Sequence, residues 1–162
     1  MIPTRLMIAP ALLAASIVAA PVVRAQAPES PKDPVETVSA PVNAFFQSVI
    51  AGQVDEAFKQ LLVGSPLASP TSAAKKKAVA ALVVKTKDLS RLYGEARAFE
   101  SVEQRMIGKD VVVLKYLYKC ERFPVVWYFT YYRDQKADLA GATRQWFLIS
   151  VRFDTAIDRL AM

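Results

Sequence analysis

The sequence contains no histidine and only one cysteine, Cys120. The lack of histidine excludes the usual Ser-His-Asp and Cys-His nucleophile systems, and with them the zinc, copper and non-haem iron sites that depend on imidazole. A single cysteine can form neither an internal disulfide nor a thiolate cage around a metal. The composition therefore predicts no metal site and no catalytic triad.

Glycine is also scarce, with five residues scattered along the chain. No glycine-rich phosphate loop is present, and no Asp-x-Asp-x-Asp-Gly calcium loop. We therefore expect no cofactor, and the sequence identifies no catalytic residue.

Residues 1–25 have the three-part pattern of a cleavable secretory signal: a positive charge at Arg5, an apolar run, and small residues that allow cleavage after Ala25 or Ala27. The alternative is a permanent transmembrane anchor, which takes roughly 17–25 apolar residues. The run is rich in alanine and contains two prolines, which favours the signal peptide. We expect an exported protein, periplasmic or extracellular, that meets the membrane only transiently during export.

The remaining chain has the length of a single domain. Its excess of basic over acidic residues falls from six to four when Arg5 and Arg24 leave with the signal. This mild positive charge does not predict nucleic-acid binding.

Residues 26–37 are interpreted as a flexible proline-rich spacer and 38–162 as the domain. A helical stripe of apolar residues opens the domain, but Pro41 disfavours a helix interior, so we expect this helix to begin near Ser39 or Ala40. The stripe consists of Val38, Val42, Phe45, Phe46 and Val49.

Two more helices are predicted after Gly52, one short and one spanning about 72–92. The short helix presents Val54, Ala57, Phe58, Leu61 and Leu62. The inner stripe of the long helix is expected to be Ala78, Val79, Leu82, Val83, Thr86, Leu89 and Tyr93.

The hydrophobic period then changes to two, and β-branched and aromatic residues predict four strands. They cover about 96–107, 110–121, 124–133 and 144–154, with a tight hairpin at 108–110 and a polar loop at 134–143. The fold class expected is α+β, with three N-terminal helices packed on a curved four-stranded antiparallel sheet.

The alternation of each strand predicts which side chains face the helices. In the second strand these are Val112, Leu114, Tyr116, Tyr118 and Cys120. In the fourth strand, one face is predicted to carry Phe147, Ile149, Val151 and Phe153, and the opposite face Trp146, Leu148, Ser150 and Arg152. The third strand is apolar on both faces, which indicates that both are covered. A homodimer formed through the sheet, a small apolar ligand or an envelope protein could supply the second cover.

The order of these elements resembles the cone-shaped domain of the nuclear transport factor 2-like superfamily. The resemblance is carried by Phe45-Phe46-x-x-x-x-Ala51-Gly52-x-x-Asp55-x-Ala57 and by the aromatic last strand at Trp146-Phe147-Leu148, and it covers about 38–155. It implies a helix-backed curved sheet. The superfamily includes enzymes, transport factors and partner-binding modules, so the resemblance does not assign a function, and no catalytic motif of its enzymes maps onto this chain.

Aromatic residues of the sheet are the candidate ligand cavity or interface. These residues are Tyr116, Tyr118, Trp127, Tyr131 and Trp146. Ordinary sheet packing is the alternative for all of them. Cys120 is the sixth residue of this candidate cavity or interface. It follows Lys119 and is a reactive thiol, a thiol that pairs between subunits, or a small buried apolar residue.

Two groups of charges suggest other functions. Glu100 and Glu103 could act as a general base if either lies inside the cone, and with a tyrosine donor they would support a small lyase, isomerase or hydrolase. The alternative is cross-strand ion pairing on the wet face. Basic residues of the third helix could contact an anionic surface of the cell envelope, or simply be solvated; they are Lys75, Lys76, Lys77, Lys85, Lys87 and Arg91. The leading hypothesis is a non-enzymatic exported binding domain.

Overall fold

The computed structural model describes residues 33–69, 73–133 and 145–157. The predicted signal peptide at 1–25, both cleavage points and the whole of the predicted loop at 134–143 lie outside the described residues. Within them, helices come first and four antiparallel strands follow, which confirms the α+β class with the helices before the sheet.

Helix α1 spans Pro34–Ile50, so the expected start near Ser39 is wrong, and residues 34–37 belong to the helix rather than to the spacer. The Asp33 side chain accepts a hydrogen bond from the Val35 amide at 2.9 Å. Pro34 lies in the first turn, where a backbone amide would have no partner within the helix, so the missing N–H of proline costs nothing there. This cap fixes the start one turn ahead of Val38. Pro41 is then tolerated inside the helix, where it is exposed.

The predicted long helix is two helices. Helix α2 spans Val54–Leu61, a single 3₁₀ turn covers Pro66–Ala68, helix α3 spans Ala73–Lys87, and helix α4 spans Leu89–Tyr93. Of the expected inner stripe, Thr86 and Leu89 are buried, whereas Ala78 is exposed and the other members are half-buried. Helix α3 therefore packs on the protein less closely than its pattern predicted.

The sheet contains β1 (Ala96–Ile107), β2 (Val111–Cys120), β3 (Val125–Arg133) and β4 (Trp146–Asp154), in that order, each antiparallel to the next. The predicted strands and the hairpin at 108–110 are confirmed within two residues. Gly108 has a φ of 61° in that hairpin, a left-handed conformation that favours glycine.

An irregularity in β4 makes its predicted face assignment wrong. Thr130 pairs with Ser150 and the next residue, Tyr131, pairs with Leu148, so Ile149 forms a bulge. Because of this extra residue, the side chains before Ile149 point to the face opposite to the one that strict alternation from Val151 predicts. Residues Leu148 and Trp146 therefore join the core side with Val151 and Phe153, while Ile149 is exposed.

The core lies between α1, α2 and the helix-facing side of the sheet, and Phe45 and Phe46 are at its centre. The ring of Phe46 stacks on Phe99 at 5.0 Å and on Tyr118 at 5.6 Å between centroids. The ring of Phe45 meets Trp127 edge-on at 5.4 Å. The adjacent phenylalanines of the sequence motif thus join the helices to three of the four strands.

Candidate functional site

Two of the predicted site residues, Tyr116 and Trp127, belong to this packed core. They are 1% and 0% exposed, and each lies less than 6 Å from the ring of Phe46. The hydroxyl of Tyr116 donates to Oδ1 of Asn43 at 3.0 Å. These contacts are those of a filled interior rather than of an open ligand site.

Tyr118 and Cys120 lie near the opposite end of the core. Tyr118 forms part of the wall of a cavity of about 220 Å³ between the end of α1, helix α4 and the start of β1, and Glu95 lies on the same wall. Burial, followed by the nearness of Cys120 and Glu95, raises the pKa of Tyr118. Burial also raises the pKa of the Cys120 thiol, which argues against a reactive thiolate there.

Tyr131 and Trp146 lie on the core side towards the β1–β2 hairpin. The Tyr131 hydroxyl is buried and has no hydrogen-bond partner within the described part of the chain. Trp146 is half-buried, with the Arg133 guanidinium 5.4 Å from its ring centroid. Arg133 in turn donates to Oδ1 of Asp110 at 3.1 Å. The six predicted site residues are thus spread along the core and do not converge on one pocket.

The two candidate general bases lie on the outer face of the sheet, away from the helices. Glu100 is paired with Lys119, and Glu103 with Lys115, where Nζ and Oε2 are 2.7 Å apart. A hydrogen bond from each lysine lowers the pKa of its partner carboxyl. Carboxyls with lowered pKa values outside the core are poorly suited to accept a proton from a bound substrate.

One row of the outer face crosses all four strands, because Glu103 pairs with Lys115, Lys115 with Tyr128, and Tyr128 with Arg152. The Arg152 guanidinium lies 4.2 Å from the Tyr128 ring centroid. Tyr128 is 9% exposed. Charged side chains therefore cover the centre of this face.

A groove of about 320 Å³ runs between α3 and β4. One face of α3 forms its first wall, with residues at spacings of three and four, and the exposed edge of the sheet forms the second. Its floor is apolar and is formed by Leu67, Ala78, Val79, Leu82, Val151 and Phe153. Because most of these side chains are only half-buried, the protein leaves part of this apolar surface uncovered.

The charges that line the groove are all positive: Lys75 and Lys85 on α3 and Arg152 on β4. No acidic residue is among its lining residues. Lys85 makes no ion pair with another described residue, whereas Arg152 also lies 4.0 Å from a carboxylate oxygen of Asp154. The groove combines an apolar floor with a cationic rim.

Two contacts lie beside the groove and involve the elements that flank it. The Ser65 hydroxyl, which is buried, donates to the carbonyl oxygen of Leu148 and accepts from the amide of Leu67 at 3.1 Å, so the 3₁₀ turn is fixed to β4. At the far end of α3, Lys87 and Asp55 form an ion pair at 2.6 Å that ties the helix to α2. The 3₁₀ turn is therefore anchored to β4, and the last turn of α3 contacts α2 through an exposed ion pair.

Sequence patterns contained part of this site without identifying it. The predicted inner stripe of α3 includes Ala78, Val79 and Leu82, and the basic set includes Lys75 and Lys85. Whether these α3 residues form a groove with β4 depends on the distance between the helix and the sheet. The hydrophobic period of the sequence does not encode that distance. The sequence feature that pointed to the groove was a helix in which lysines lie beside the apolar stripe.

Among the described residues no group of three or more acidic or cysteine side chains is arranged to hold a metal ion. No helix in the described ranges is both long and apolar enough to cross a membrane. The chain matches no family model, no curated protein and no solved structure, so a function is inferred from the groove and its neighbours alone.

Proposed function

We propose that the chain is a non-enzymatic binding domain that holds a small apolar ligand in the groove between α3 and β4. The observation that carries this proposal is the partly uncovered apolar floor between α3 and β4. Its volume of about 320 Å³ lies at the small end of the range of roughly 300–1,000 Å³ typical of ligand pockets. Filling it with an apolar molecule removes the half-exposed side chains from water.

Homodimerisation through the outer face of the sheet is the second candidate. Ile107 and Tyr132, which are 47% and 38% exposed, favour it at the hairpin end of that face. The charged row through Lys115 and Arg152 opposes it at the centre, because burying those charges without new partners is unfavourable. The groove therefore has the better support.

An enzymatic function has less support than either. Glu100 and Glu103, the bases that it needs, are ion-paired on the outer face. Association with an anionic surface through the lysines of α3 shares residues with the groove, and the experiments below distinguish the two.

We also propose that the chain is exported and that its fold is the cone of the nuclear transport factor 2-like superfamily. The residue pattern of 1–25 supports export. The order of elements, with helices α1–α4 before a four-stranded antiparallel sheet, supports the superfamily.

The test of ligand binding uses a neutral apolar fluorophore, N-phenylnaphthylamine, and two tryptophan substitutions in α3. Ala78 lines the groove, so Ala78→Trp should fill it and abolish the rise in fluorescence. Ala80 is exposed on the same helix and does not line the groove, so Ala80→Trp should bind the probe like the parent chain. Equal binding by the two variants, or none by the parent, would refute the proposal.

Native mass spectrometry of the protein from its own host separates the first two candidates. A small additional mass that is released on denaturation supports the groove. A dimer without additional mass supports association through the sheet.

A further inference from the structure

We infer that the ligand of the α3–β4 groove is a single-chain amphiphile with a carboxylate head, such as a free fatty acid, an inference that rests on the proposed function. The floor offers apolar contact to a chain, and the rim offers positive charge to a head group. An apolar floor and positive charge in one groove of about 320 Å³ together indicate an amphiphilic, negatively charged ligand.

The sign of the head group follows from the charges on the rim. Lys75 and Lys85 stand on the α3 wall, and no acidic side chain is among the lining residues. Arg152 of β4 also lines the groove, but its guanidinium lies over the Tyr128 ring on the outer face of the sheet. A cationic or zwitterionic head would place a positive group against these lysines, whereas an anion is attracted by the α3 wall. Lys85 has no ion-pair partner among the described residues, so a ligand carboxylate would displace no existing pair there.

The shape of the groove favours a single monomeric molecule over a bilayer surface. The apolar side chains of the floor, including Val151 and Phe153, are half-buried, and lysines of α3 line the same groove. A flat membrane would meet the charged rim first and leave that floor unfilled. An acyl chain can enter the groove lengthwise and displace water from the floor.

The experiment compares dodecanoate with dodecanol, which differ in head-group charge, by calorimetric titration of the full chain below the micelle concentration. We expect dodecanoate to bind about twofold to fivefold more tightly, the size typical of exposed charge pairs. Lys85→Glu should remove that preference, and Lys85→Arg should retain it.

The matched control is Lys76→Glu, which changes the net charge by the same amount on the same helix but does not line the groove. It should leave the preference for dodecanoate intact. If it weakens dodecanoate binding as much as Lys85→Glu does, long-range attraction rather than the groove is responsible, and the inference is wrong.

Three other outcomes are separable. Equal binding of dodecanoate and dodecanol would overturn the carboxylate head while leaving a ligand-binding groove in place. Binding of neither, together with no N-phenylnaphthylamine signal, would overturn the proposed function as well. Binding to anionic phospholipid vesicles without binding to monomeric dodecanoate would overturn the inference in favour of surface association.

Discussion

The hydroxyl of Tyr116 in β2 donates to Oδ1 of Asn43 in α1, with 3.0 Å between the two oxygens. This bond joins the long helix to the inner face of the sheet inside an otherwise aromatic cluster. Neutral hydrogen bonds of this kind contribute about 0.5–1.5 kcal/mol to stability.

Tyr116→Phe should therefore lower the free energy of unfolding by about 0.5–1.5 kcal/mol, because it removes the donor and keeps the ring. Urea denaturation followed by circular dichroism measures this. The control is Tyr132→Phe, an exposed position at which the change should stay within about 0.5 kcal/mol. A Tyr116→Phe loss no larger than that of the control would mean that the bond contributes nothing.

Gly94 ends α4 with a φ of 84°, and an added Cβ would lie 2.8 Å from Cβ of Glu121. Gly94→Ala should destabilise the fold by roughly 1–3 kcal/mol, because it combines an unfavourable backbone conformation with a collision. Thermal and urea unfolding measure the loss.

Gly52 supplies the matched control for that substitution. Its φ is 79°, but an added Cβ would meet nothing within 4 Å. Gly52→Ala should therefore show the backbone effect alone, and Gly94→Ala should be the more destabilising of the two. Equal losses would show that the chain around Glu121 yields without penalty.

Acidification should remove the contribution that the two outer-face ion pairs make to the stability of the fold. Hydrogen bonds from Lys119 and Lys115 lower the pKa values of Glu100 and Glu103 in the folded state. Each contribution is therefore present above the unfolded glutamate pKa of about 4.3 and is lost as the pH falls through the lower folded value.

The variant with both Glu100→Gln and Glu103→Gln should show a shallower loss of stability on acidification than the parent. The measurement is the urea midpoint as a function of pH. The difference should shrink in high salt, since Glu100 is exposed to solvent and Glu103 is partly exposed. Parallel pH curves for parent and variant would contradict the assignment.

Alkali should destabilise the fold through three buried tyrosines. Burial raises the pKa values of Tyr116, Tyr118 and Tyr131. Their contribution to stability is present below the unfolded tyrosine pKa of about 10 and is lost as the pH rises towards the higher folded values.

Spectrophotometric titration should therefore detect fewer phenolates in the folded chain than its six tyrosines would give, until alkaline unfolding releases the rest. The same titration in denaturant supplies the full amplitude. Ionisation of all six at about pH 10 with the fold intact would contradict the burial of these hydroxyls.

The strands were predicted well because their alternation is local: β1 was expected at 96–107 and is found at Ala96–Ile107. The inner face of β2 was correct for the same reason. The start of α1 was missed because Pro41 was given more weight than the cap at Asp33, although both signals are present in the sequence.

The faces of β4 and the α3–β4 groove depend on distant partners. The bulge at Ile149 exists only relative to β3, so a strand considered alone keeps strict alternation. The half-exposed apolar face of α3 depends on where the helix lies relative to β4, the 3₁₀ turn and α2. Neither feature can be predicted from the hydrophobic period of the segment in which it occurs.

The interruptions in pairing lie on the two outer strands of the described sheet. Strand β1 has extra residues after Ala96 and Ser101 and β4 has one at Ile149, while β2 and β3 pair in continuous register. A bulge breaks the even row of amide and carbonyl groups that an incoming strand from another molecule would need. Both borders of the sheet are thereby made poor templates for fibril growth, which favours a chain that stays dispersed when it is concentrated.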